Sequence, residues 1–329
     1  MSKTISIVIM FSLIFTFFAP AQQGEAAGSP FDDVAGMAWA EESVSSLSQQ
    51  GIINGYEDGT FRPNNNISRQ EAAVMMVRAV LSDEESGFQS DYTDVDTGSF
   101  YYEAISAASE YALFNGYPDG TFRPQENITR AESANILVSA FNFTGSETVF
   151  SDVNGHWAES DITALLAKGI TTGYPDGTYK PGSSITRAEF AVLVDRSLKD
   201  EGVSVQREIL RLTNEEREAH DLEPLKPHIN LQAVADAKAE DMYVNDYFAH
   251  QSPEHGSPFD MMKAAGISYS AAAENIARGY HSAETVVGGW MDSYGHRNNI
   301  LSERYTHLGV GYTSEGARGP YYVQMFIEK

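Results

Sequence analysis

The strongest constraint in this chain is a segment that occurs three times. Phe31-Asp32-Asp33-Val34, Tyr92-Thr93-Asp94-Val95 and Phe150-Ser151-Asp152-Val153 open three units, spaced 61 and then 58 residues apart. Gly55-Tyr56-Glu57-Asp58-Gly59-Thr60, Gly116-Tyr117-Pro118-Asp119-Gly120-Thr121 and Gly173-Tyr174-Pro175-Asp176-Gly177-Thr178 recur at 61 and 57 residues. The third landmark is Ser68-Arg69-Gln70-Glu71, Thr129-Arg130-Ala131-Glu132 and Thr186-Arg187-Ala188-Glu189. A helical apolar pattern with an aromatic near its start (Trp39, Phe100 or Trp157) lies between the first and second landmarks, and another follows the third. Each unit therefore reads as helix, turn-rich loop, helix. One such pair cannot hide its apolar face, so three packed together are the expected solution.

The loop residues have mechanical reasons. Pro in Tyr-Pro-Asp-Gly fixes φ for a tight turn, and the Gly tolerates the positive φ that follows. Ser or Thr with Glu three residues later is a capping box, and the preceding Ile67, Ile128 or Ile185 suits a hydrophobic staple. The arginine is not explained this way. Arg69, Arg130 and Arg187 occupy the first helical position, where the helix end disfavours a cation. A helix N-terminus with free N–H groups beside a guanidinium suits a carboxylate ligand, and the rival reading is a surface or Asp-paired arginine.

These three landmarks resemble the S-layer homology domain in its usual set of three, over about residues 31 to 198. The resemblance implies non-covalent attachment to the secondary polysaccharide of Gram-positive cell walls, often through its pyruvylated sugar, which carries a carboxylate. On the matching positions it implies polysaccharide contacts from Arg69, Arg130, Arg187, Trp39, Trp157, Asp58, Asp119 and Asp176. Glu57, Gln70, Phe100, Ala112 and Lys180 depart from the pattern, so equal occupancy of three sites does not follow.

At 329 residues the chain is long enough for two or more folded units. Lys3, the apolar stretch Ile5 to Phe18 and the small residues after it read as a secretory signal over residues 1–27, too short to span a bilayer as a helix. An uncleaved anchor is the rival. No later stretch is long and apolar enough to span, so no membrane span is expected after signal removal. The chain has no cysteine, which fits export from a single-membrane bacterium. A formal charge of −24 makes nucleic acid and acidic membrane surfaces poor partners.

After Asp200 to Gln206, read as a linker, the character of the chain changes. Helices are expected from Ile209 towards Pro224, over Leu231 to Met242 and over Val286 to Met291, with strands at Leu308–Tyr312 and Tyr321–Ile327. The units are thus repeats at 31–87, 92–146 and 150–199, then a domain at 206–329. Three stretches here carry polar chemistry: "YFAHQSP" with His250, "AAAENIA" with Glu274 and "YGHRNNIL" with His296. Two imidazoles and a carboxylate can bind a divalent metal such as zinc, or serve as base, acid and orienter.

"LRLTNEEREAHDLEPL", "DMYVNDYFAH", "AENIA", "GWMDSYGHRNNIL" and "LGVGY" resemble, in order, the CAP superfamily of cysteine-rich secretory, allergen and pathogenesis-related proteins. The resemblance implies an α-β-α sandwich with a cleft lined by two His and two acidic residues. His250, Glu274 and His296 match three of the four, and Asp292 is the available substitute for the missing acid. The expected fold class is therefore multidomain: an all-α bundle of three helix-loop-helix repeats plus an α+β sandwich. The expected function is an exported wall-anchored protein whose second domain binds a metal, lipid or protein. The alternative is a metal-assisted hydrolase using His250, Glu274 and His296. No serine or cysteine nucleophile is signalled, since Cys is absent and no Gly-x-Ser-x-Gly occurs.

Overall fold

The computed structural model describes residues 30–81, 87–146, 150–314 and 319–329, so the expected signal sequence lies outside the described residues. Six helices make up the repeats: α1 (Glu41–Gln49), α2 (Arg69–Val80), α3 (Tyr102–Glu110), α4 (Arg130–Phe141), α5 (Glu159–Ala167) and α6 (Arg187–Leu198). All three capping boxes form. Ser68, Thr129 and Thr186 cap α2, α4 and α6, and Glu71, Glu132 and Glu189 reach back to the cap backbone. The tight turns also form, with Gly59, Gly120 and Gly177 at φ of 78°, 80° and 79°. Those left-handed values are open to glycine without the penalty a Cβ brings.

The three units close into a ring. Helix α2 packs on α3, α4 on α5 and α6 back on α1. At the centre the backbone of Ile67, Ile128 and Ile185 links cyclically: Ile67 N–H donates to Ile185 O, Ile128 N–H to Ile67 O and Ile185 N–H to Ile128 O. These isoleucines, expected as staples for their own helices, are fully buried and tie the three loops together. One continuous apolar cluster runs through all three units.

The stretch Asp200–Gln206 is not a loose linker. Helix α7 (Glu201–Glu218) starts there, capped by the Asp200 side chain, which accepts from the N–H of Gly202 and Val203. Val203 is buried in the repeat cluster, so the second domain begins on a helix docked against the first.

That domain has strands β1 (Lys226–Pro227), β2 (Ala271–Arg278), β3 (His307–Thr313) and β4 (Tyr321–Glu328) in the order β1-β3-β4-β2. Strand β1 is parallel to β3, and the other pairs are antiparallel. Helices α8 (Ile229–Val244) and α9 (Pro258–Ala264) cover one face. Helices α7, α10 (Ala283–Asp292) and α11 (Tyr294–Ile300) cover the other, completing the sandwich. The glycines of "LGVGY" let α8 approach β3: a Cβ on Gly311 would sit 2.0 Å from Ala235 O.

Asp236 on α8 lies where the two units meet. Its Oδ1 accepts from Gln206 Nε2 at 2.5 Å and from the Tyr312 N–H at 3.3 Å. Burial pushes its pKa up to about 7, outweighing hydrogen bonds from Tyr312, Gln232 and Asn142 and the charge of Lys168. A carboxyl whose folded pKa is raised contributes stability that is fully present below its unfolded value and is lost as pH rises through the folded one. This group is therefore expected to cost the chain stability as pH rises from 3.8, the ordinary carboxyl value, to about 7. Asp236→Asn should remove ~2–4 kcal/mol of that dependence, read as the difference between wild-type and variant unfolding free energies across the range. Parallel curves would contradict the assignment.

Candidate functional site

Two sites emerge, one in the ring and one in the sandwich. In the ring, each arginine reaches out of its own repeat. Arg69, Arg130 and Arg187 are only 5%, 7% and 5% exposed. Their Nε atoms donate to the carbonyls of Phe122, Tyr179 and Phe61, each at 2.8 Å. Their Nη1 atoms meet the capping-box Glu132, Glu189 and Glu71 at 3.5, 3.4 and 2.8 Å. The guanidinium of Arg187 also lies 4.8 Å from the Tyr56 ring centroid and that of Arg130 4.8 Å from Tyr174.

This corrects the sequence argument in two respects. The arginines have a structural task, joining one repeat to the next and the third back to the first. The helix N-termini are not free either, because the N–H of Arg69, Arg130 and Arg187 donates to Glu126, Ser183 and Asn65 carbonyls across the repeat boundary. Asp58, Asp119 and Asp176 likewise serve their own turns, accepting from Thr60, Thr121 and Thr178 and pairing with Arg62, Arg123 and Lys180.

What the ring leaves accessible lies in the grooves between repeats. The groove between the first and second repeats encloses about 150 Å³ and is bordered by Tyr56, Glu71, Arg78, Phe100, Tyr101 and Arg187. Tyr56 donates to Glu71 Oε1 at 2.5 Å, and burial with this bond pushes its pKa up to about 12. Burial works to raise the Glu71 pKa, but the hydrogen bonds from Tyr56 and Ser68 and the Arg187 charge bring it below the usual range. The groove thus holds a fixed anion beside a fixed cation. Phe100 and its counterparts Trp39 and Trp157 are 73%, 54% and 62% exposed. The grooves differ in one donor. Arg69 uses Nη2 on Asn115 O at 3.0 Å, whereas among the described residues no acceptor bonds to Nη2 of Arg130 or Arg187.

In the sandwich, His250 follows α8 and Glu274 sits on the edge strand β2. His250 Nδ1 lies 2.6 Å from Glu274 Oε1, with the imidazole 57% exposed and the carboxylate side chain 2% exposed. Glu274 Oε2 is buried without a hydrogen-bond partner. Burial raises the Glu274 pKa against the His250 hydrogen bond and the Lys238 charge. His296 on α11 is half-buried, and burial together with the His250 charge lowers its pKa, which favours the neutral, ligating imidazole.

Buried side chains hold this arrangement. Lys238, fully buried on α8, donates to Tyr247 Oη and to the carbonyls of Ala249 and His250 at 2.8, 3.0 and 2.9 Å. Asn275 donates to His296 O and to Gln324 Oε1, and Asn299 donates to Asn275 Oδ1. Sequence reasoning missed Lys238 and Asn275. Asn275 stands next to Glu274 in the "AENIA" block, so that block carried a signal for it.

The structure brings His250 onto Glu274 and His296 within electrostatic reach of His250. It does not converge all three as metal ligands. Among the described residues the only three donors with ligand atoms all within 4.8 Å are Asp241, Glu254 and His255. Asp292 is exposed on the last turn of α10 and is not among the contacts of His250 or Glu274. A divalent ion at His250, Glu274 and His296 would therefore need these side chains to move closer.

Comparisons with known proteins agree with this two-part layout. Residues 30–73, 91–134 and 149–191 match the S-layer homology domain, and residues 210–326 match the cysteine-rich secretory protein family. The chain is 49% identical over 124 residues to "Uncharacterized protein YkwD" of Bacillus subtilis, covering 38% of this chain and 47% of that protein. A "Cellulosome-anchoring protein" of Acetivibrio thermocellus is 42% identical over 158 residues, covering 45% of this chain and 35% of that protein. The crystal structure of an extracellular protein containing a SCP domain from Bacillus anthracis shares 28% identity over 52% of this chain and 51% of that one, at a TM-score of 0.37. The chain thus spans less than half the length of these curated relatives. No described helix is long and apolar enough to cross a membrane. The chain carries three S-layer homology domains followed by a domain of the cysteine-rich secretory protein family, and is an exported protein of the cell wall or S-layer.

Proposed function

We propose that the ring anchors the chain non-covalently to the pyruvylated secondary polysaccharide of the cell wall and displays a ligand-binding, non-enzymatic CAP domain. The observation that supports anchoring most is the threefold set of exposed aromatics, Trp39, Phe100 and Trp157, presented by a ring whose grooves carry buried guanidinium groups. Solvent-facing aromatic rings stack on the apolar faces of sugars, and a guanidinium corner suits the pyruvyl carboxylate. The free Nη2 atoms of Arg130 and Arg187 favour their grooves over that of Arg69. The anchoring protein of Acetivibrio thermocellus is named for a comparable task. Co-sedimentation of the full chain with purified wall polysaccharide tests this half. The chain is expected in the pellet, and a chain left in the supernatant would sink the reading.

The CAP cleft takes a ligand because Glu274 Oε2 is buried and unsatisfied, a state that costs free energy until a proton, a cation or a donor reaches it. Zinc is the first candidate, and it would have to draw His250, Glu274 and His296 closer together than they stand. Zinc titration followed by calorimetry should show one site that weakens at least ~100-fold in His250→Ala and in His296→Ala, without hydrolysis of peptide or wall substrates. Turnover abolished by the same two variants would establish the hydrolase reading instead. Absence of a zinc site would leave lipid or protein ligands to be screened against the same variants.

A further inference from the structure

Between the ring and the sandwich lies a cavity of about 540 Å³. The C-terminal ends of α2 and α4 form one wall, α7 a second, and β1, the start of α8 and β3 a third. It belongs to neither unit alone. Leu81, Phe141, Val203, Leu210, Leu225 and Leu308 make most of the lining apolar. Four cations, Arg78, Arg207, Arg211 and Lys226, also border it, and among the described residues no Asp or Glu does. In a chain with 46 acidic and 22 basic residues, that wall is the opposite of the average surface.

The charges are not equally satisfied. Arg211 is balanced by Glu208 and Glu215. Among the described residues Arg207 meets only the amide of Gln50, at 3.4 Å, and Arg78 only the amide of Asn54, at 3.2 Å with that amide oriented to accept from it. Arg207 is an exposed side chain at the rim of the cavity, and the protein packed around it lowers its pKa, with no carboxylate acting against that. A guanidinium at the edge of an apolar cavity with no carboxylate partner leaves its planar fork open to an incoming carboxylate head.

We infer that this interdomain cavity binds a single-chain amphiphile with a carboxylate head, a long-chain fatty acid, its head on Arg207 and Arg78 and its tail along the apolar wall. The volume is that of a small-molecule pocket. The apolar lining disfavours a free sugar, and the cations disfavour a metal ion. Because both units supply walls, the bound amphiphile would also stiffen the junction between anchor and displayed domain. The inference needs neither the wall-binding nor the zinc reading, and Arg207, which borders no repeat groove, tests it apart from Arg78, which borders both the cavity and the groove between the first and second repeats.

Calorimetry of the full chain with dodecanoate below its micellar concentration tests it. Saturable one-to-one binding is expected, with none for dodecyltrimethylammonium, which has the same tail and the opposite charge. Arg207→Gln should weaken dodecanoate binding about tenfold, and Arg207→Gln with Arg78→Gln further, as expected when charge-assisted hydrogen bonds are lost. Dodecanoate should also raise the melting temperature of the wild type but not of the double variant. No saturable binding, equal binding of the cationic amphiphile, or unchanged affinity in both variants would overturn the inference. Co-sedimentation with phosphatidylglycerol vesicles that survives both substitutions would identify a membrane surface, not a free amphiphile, as the partner.

Discussion

Arg187→Ala is expected to lower the unfolding free energy of the full chain by about 3 kcal/mol, the scale of stripping one partner from a buried ion pair. The substitution removes the Nε bond to Phe61 O and the Nη1 bond to Glu71, both at 2.8 Å, and takes the guanidinium from between the Tyr56 and Phe61 rings. It also leaves Glu71 buried with less compensation. The effect should be largest at this position because Arg187 closes the ring, linking residues 116 and 126 positions apart. Denaturant unfolding followed by circular dichroism measures it. Arg187→Lys should recover only part, since an ammonium cannot serve both acceptors with the planar fork. A change below about 0.5 kcal/mol, the range of ordinary surface substitutions, would show that the interlock is not what holds the ring.

The second large effect is on binding and leaves the fold untouched. Trp39→Ala and Trp157→Ala act on exposed side chains and should change stability by less than about 0.5 kcal/mol. Each should weaken polysaccharide binding about five- to tenfold, the scale of losing one aromatic anchor. The double variant should lose more than 100-fold, because grooves on one polymer reinforce each other through effective concentration. The pair of predictions separates the two tasks of the ring. Arginine variants that weaken binding do so partly through the fold, whereas tryptophan variants report on the ligand. Unweakened binding in the double tryptophan variant would remove the aromatic rings from the site.

The features legible in the sequence are those whose causes are local. The Tyr-Pro-Asp-Gly turns and the Ser/Thr-x-x-Glu caps act within three or four residues, so spacing alone locates them, and both form as read. The arginines defeated that reasoning for a physical reason. At the first helical position a cation looks misplaced when its own helix is considered. Its partners are the capping glutamate and a loop carbonyl of another repeat, 46 to 126 residues away. The same holds for Ile67, Ile128 and Ile185, whose backbone partners lie in the neighbouring loops.

Asp200 carried a readable cap signal for α7, but the change of character after Asp200–Gln206 pointed to a linker instead. In the sandwich, β3 and β4 were legible from β-rich runs between turns. Strand β2 was not, because "AAAENIAR" is buried almost throughout and lacks the alternation that marks a half-exposed strand. His250 and Glu274 were recognisable only as matches to a family pattern. Their 2.6 Å contact depends on Lys238 fixing the His250 loop and on the register of β2 against β4, neither of which spacing can supply.

Recognition of a carboxylate on a wall polysaccharide is the task proposed for the ring. The most direct measurement is calorimetric binding of the full chain to purified secondary cell-wall polysaccharide before and after chemical removal of its pyruvyl groups. Binding to the native polymer and a loss of at least ~100-fold after their removal are expected, the scale of losing a charge-assisted contact at more than one groove. Equal affinity for the two polymers would contradict the account.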